Sequence, residues 1–172
     1  MRFPRTVRLD TSDAHVYRRP AEAGEWAVPG SFAFAGLDPE SLDDKDKLAF
    51  RDGWLGLESL GRASLVEVAD IDEAAFFQAV ERLARHFVES YGAPSLAEAL
   101  PAAREEADDA RTLCEGHKVH TLLALERQPG ERGVVERVRV IRPGRADGHA
   151  RIWEVVPDDE EASGTDGGAG PR

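Results

Sequence analysis

One stretch limits the possible architectures more than any other. Between Asp72 and Tyr91 the residues Phe76, Phe77, Val80, Leu83, Ala84, Phe87, Val88 and Tyr91 recur at the spacing of a single helical stripe. A helix with so wide an apolar face has to bury it, so the rest of the chain must supply a partner surface. Asp70 and Glu73 stand at capping-box spacing before it, and Gly92 and Pro94 end it. A second helical region opens at Ser95, again at capping-box spacing to Glu98. It runs through Ala102, Ala103, Ala107, Ala110 and Leu113 to Glu115-Gly116, with Pro101 expected to split it into two pieces.

The flanking segments read as strands. Arg5 to Asp10 and His15 to Arg19 are short β-type runs. From Trp26 to Ala35, the residues Trp26, Val28, Phe32 and Phe34 fall on one face at period two. Pro29-Gly30 interrupts that run, which predicts a bulged or edge strand. The acidic stretch from Leu37 to Lys47 reads as a loop, and Phe50 to Leu57 with Ser64 to Ala69 as a hairpin around Ser59-Leu60-Gly61. After the helices, His117 to Arg127 and Val134 to Arg142 flank a Pro-Gly turn, and Arg151 to Val156 makes a third β-rich run. The order predicts an α+β domain over residues 1–157: an antiparallel sheet with a helical pair inserted between strand groups and packed on one face. Residues 158–172, acidic and Gly-rich, are expected to be a disordered tail.

Charge narrows the partners. Thirty-three acidic against 22 basic side chains leave a formal net charge of -11. That disfavours the phosphate attraction on which nucleic-acid binding and anionic membrane surfaces depend. The single cysteine, Cys114, cannot form an internal disulfide, and the opening Met-Arg-Phe-Pro-Arg leads into polar residues, so a cytoplasmic chain is expected.

No dinucleotide or P-loop glycine pattern, nucleophile elbow, HExxH or paired CxxC is present, and no catalytic residue or cofactor is assigned. Cys114, His117 and His120 put a thiol and two imidazoles within seven residues, the ligand types that zinc or copper prefers. Glu115 or His149 would complete such a metal set. The simpler reading makes Cys114 a small buried apolar residue, His117 a partner of the helix C-terminus and His120 a member of a polar pair. Arg137, Arg139 and Arg151 either line a basic sheet face or pair with cross-strand glutamates. Trp26, Phe32 and Phe34 are the candidate partner-binding residues, on the interrupted strand, unless the core uses them all.

The segments Glu25-Trp26-Ala27-Val28-Pro29-Gly30, Gly53-Trp54-Leu55-Gly56, and Ala102-Ala103-Arg104-Glu105-Glu106 through Cys114-Glu115 resemble a small bacterial family whose domain carries no assigned function. The resemblance covers about residues 1–157. It implies an accessory role, since that family's genes lie near those for molybdenum-dependent formate dehydrogenase and its maturation, and it transfers no catalytic residue. The expected function is therefore a non-catalytic accessory or protein-interaction domain, whose partner is another protein such as a redox enzyme or its maturation factor. A small metal-binding protein or enzyme using Cys114, His117 and His120 is the alternative.

Overall fold

The computed structural model describes residues 1–9, 11–143 and 153–156. Its framework is an antiparallel five-stranded sheet of order β1-β5-β6-β7-β8. The strands are β1 (Arg2–Val7), β5 (Leu65–Asp70), β6 (Leu122–Gly130), β7 (Gly133–Pro143) and β8 (Trp153–Val156). A smaller sheet joins β2 (Ala27–Val28), β3 (Trp54–Gly56) and β4 (Arg62–Ala63), and an Arg5–Trp26 bridge links it to β1. Between the strand groups lie α3 (Glu73–Tyr91) and α4 (Leu96–Cys114), with α1 (Ser12–Val16) and α2 (Asp44–Asp52) earlier in the chain. This is the α+β arrangement that the sequence implies.

The stripe on α3 buries Phe76, Ala79, Val80, Leu83 and Ala84. It meets Ala99, Ala103, Ala107 and Ala110 of α4, whose small side chains at helical spacing let the two helices approach closely. The pair packs against β1 and β2, where Phe3 meets Phe76 edge-on with ring centroids 5.6 Å apart. A second apolar cluster joins Val66, Val68, Leu123 and Leu125 of the large sheet to Ala27, Trp54 and Cys114.

Several expectations are corrected. Asp72, not Asp70, caps α3, its side chain accepting from the Ala75 amide. Pro101 does not split the second helix: α4 is continuous from Leu96 to Cys114, and the proline stands exposed near its start. His15–Arg19 is not a strand, since Ser12–Val16 forms a short helix. Leu37–Lys47 is not one loop, because Asp43 accepts from the Asp46 amide and starts α2, which carries Phe50 into a third cluster with Tyr17 and Phe34. Trp26–Ala35 is strand only at Ala27–Val28. It turns at Gly30, in the left-handed region with φ 68°, and continues as a 3-10 turn over Ser31–Phe34. A Cβ at Gly30 would lie 2.6 Å from Leu55 Cβ, so both the conformation and the space require glycine.

Candidate functional site

The alternation along β6 places Leu123, Leu125 and Arg127 on the buried side of the strand. A guanidinium there must find hydrogen-bond acceptors, and Arg127, whose side chain is 0% exposed, collects them from distant segments. Its Nη1 donates to the carbonyls of Phe50 at 2.9 Å and Gly53 at 3.1 Å, and its Nη2 to that of Pro29. Its Nε donates to Glu136 Oε2 at 2.7 Å. Arg62 of β4 donates through Nη1 to the Gly53 carbonyl at 3.1 Å and the Gly30 carbonyl at 3.4 Å. The Gly30 amide in turn donates to Glu106 Oε1 of α4 at 3.2 Å.

Two cations and two carboxylates thus fix the Pro29–Gly30 turn and the α2–β3 junction. Burial, reinforced by Arg127, pulls the Arg62 guanidinium down to about 10, and burial also lowers Arg127 while Glu136 opposes the shift. Both stay charged at neutral pH. Burial raises the Glu106 carboxyl, against the Gly30 amide and Arg127, which favour its anion. The Phe34 ring lies under both guanidiniums, 4.9 Å from that of Arg62 and 5.9 Å from that of Arg127. With their donors directed at backbone carbonyls, these arginines position the turn and do not present an anion site.

The sheet face that buries Arg127 continues outward to Pro129 and its cross-strand partner Val134. Opposite them run the 3-10 turn and the following Gly36, Leu37 and Pro39. The groove between these walls encloses about 500 Å³, and Phe32 and Phe34 contribute to its lining. Leu37 and Val134 are 51% and 39% exposed, so apolar surface remains open to solvent there.

The candidate partner residues divide. Phe32 and Phe34 line the groove, although Phe32 also packs edge-on to Phe87 at 4.9 Å and Phe34 to Phe50 at 5.4 Å. Trp26 lies elsewhere, its ring edge-on to Phe3 at 6.1 Å. Cys114 is fully buried beside Val66, Val68 and Leu123, and burial pushes its thiol up to about 12. His117 is half-buried, its carbonyl accepting from Arg2. His120 is exposed at φ 68° and bonds through Nδ1 to Glu67 Oε2 at 2.9 Å, the polar pair of the simpler reading. Burial raises Glu67, but His120 and Arg5 together bring its carboxyl below the ordinary range. Among the described residues no group of three His, Cys, Asp or Glu side chains is placed to hold a metal ion. Arg139 pairs across the hairpin with Glu126. His149, Arg151 and the tail 158–172 lie outside the described residues.

Sequence reading missed Arg62, Arg127, Glu106, Leu37 and Val134. Arg127 carries one local signal, its place in the Leu123, Leu125, Arg127 alternation; the others carry none, because their roles depend on contacts across the fold.

The structure defines an α+β domain with an arginine-pinned turn beneath an open apolar groove. The chain belongs to a family of unknown function, DUF6505, whose profile matches residues 1–153. No curated protein and no solved structure matches it. Among the described residues no helix is long and apolar enough to cross a membrane.

Proposed function

We propose that this chain is a non-catalytic protein-interaction domain that uses the groove between the 3-10 turn and the β6–β7 tip to hold a partner protein. The observation that carries the reading is the groove itself. Leu37 and Val134 expose apolar surface on opposite walls, while the turn below them is fixed by Arg62 and Arg127. A wall that is already rigid loses little conformational entropy when a partner binds, which favours recognition.

The resemblance to a family encoded near formate dehydrogenase genes supports a redox metalloenzyme or one of its maturation factors as that partner, and the lone Cys114, which requires no oxidising compartment, fits work in the cytoplasm. The test is affinity capture from the native host followed by mass spectrometry, comparing the wild-type chain with a Leu37→Ser/Val134→Ser variant. A partner retained by the first and lost by the second, at unchanged melting temperature, supports the reading. Equal capture by both removes the groove as the contact.

A further inference from the structure

We propose that the groove selects an extended partner segment in which apolar side chains are flanked by Lys or Arg; this rests on the groove being the contact and deepens that reading. The argument is charge complementarity around an apolar floor. The two stretches that form the walls, residues 31–40 and 128–136, carry Asp38, Glu40 and Glu131 against the single Arg132, with Glu136 already paired to Arg127. Asp38, Glu40 and Glu131 are exposed, beside the lining residues Leu37, Pro39 and Gly130.

Beneath the groove the charges are already matched. Arg127 is bonded to Glu136, and Arg62 and Arg127 direct their donors to the carbonyls of Pro29, Gly30, Phe50 and Gly53. A ligand carboxylate would therefore find no unoccupied guanidinium there and would face the acidic rim. A ligand cation would find Asp38, Glu40 and Glu131 in solvent. The apolar floor rewards a branched aliphatic or aromatic side chain, and the rim selects the charge beside it. Opposite charge at the rim suits a chain of net charge -11, whose overall field steers basic segments toward it and acidic ones away.

The test is a random peptide library displayed on phage and panned against the full chain, followed by fluorescence anisotropy with one enriched peptide and its Lys/Arg→Glu counterpart. Enriched sequences should place Lys or Arg beside aromatic or aliphatic residues. Their binding should weaken by about tenfold or more in Glu40→Lys/Glu131→Lys, whose replaced side chains are exposed, and should fall with added salt. Leu37→Ser/Val134→Ser should abolish binding with melting unchanged. Enrichment of neutral or acidic sequences, or equal affinity for the charge-reversed peptide, overturns the charge selection but leaves the groove reading standing if the Leu37/Val134 variant still loses binding. Binding indifferent to that variant overturns both, and no enrichment overturns the selection proposed here.

Discussion

Arg127 and Glu136 face each other across the β6–β7 ladder, and the Arg127 Nε–Glu136 Oε2 bond of 2.7 Å is made by a guanidinium with no exposed surface. The same guanidinium holds carbonyls from the Pro29–Gly30 turn and from the α2–β3 junction, so one side chain of the hairpin joins three distant parts of the chain.

Replacing Arg127 by Met should therefore cost about 3–5 kcal/mol, since it removes the guanidinium donors to the carbonyls of Pro29 and Phe50, leaves Gly53 to Arg62 alone, and strips Glu136 of its cation. Arg127→Lys should recover only part of this, because a single ammonium cannot reach all of these acceptors. Urea unfolding reads the difference; a midpoint near wild type for Arg127→Met would remove the pin from this account.

Position along the α3 stripe should set the cost of truncation. Phe76 is 1% exposed and packs on Phe3, whereas Phe87 is half-buried. Phe76→Ala should cost roughly 3–5 kcal/mol by lost transfer energy and a residual cavity, and Phe87→Ala distinctly less. Equal losses in denaturant unfolding would contradict the packing described.

Glu25 should govern part of the acid stability. It is 3% exposed, and its carboxylate accepts the amides of Glu22 at 2.6 Å and of Glu58 and Ser59 at 2.9 Å each. Burial raises this carboxyl, but those amides and the Ser59 hydroxyl together hold it below the ordinary glutamate range. On acidification the unfolded chain takes up this proton first. The stabilisation is thus complete above the unfolded-state value of about 4.3 and is lost as pH falls through the lower folded-state value. Glu25→Gln should lower stability at neutral pH and flatten the acid limb of the stability curve. An acid limb identical to wild type would show that Glu25 does not drive it. A Cβ at Gly56 would lie 2.5 Å from Glu25 Oε2, so Gly56→Ala should disturb the same clamp.

The Cys114 thiol should be inert in the native state. It is buried and pushed up to about 12, so little thiolate exists at neutral pH, and an aromatic disulfide reagent should label it only as the protein opens. Labelling of native protein as fast as of urea-unfolded protein would return Cys114 to consideration as a reactive group.

The sequence by itself determined the elements whose signal is local. The stripe from Phe76 to Val88, the Ser95–Glu98 cap and the alternation through Leu123, Leu125 and Val138 specify α3, the start of α4 and the β6–β7 hairpin, because periodicity and capping are decided by neighbours in the chain. Only the tertiary structure decided that Trp26–Ala35 turns at Gly30, that Asp44–Asp52 is a helix, and that Arg127 is buried. Period-two spacing of Trp26, Val28, Phe32 and Phe34 fits a strand equally well. What bends the chain is a left-handed Gly30 pressed against Leu55 and held by Glu106, Arg62 and Arg127, residues remote in sequence. The groove has the same origin: its two walls lie about a hundred residues apart in the chain and meet only when the β6–β7 tip folds over the turn.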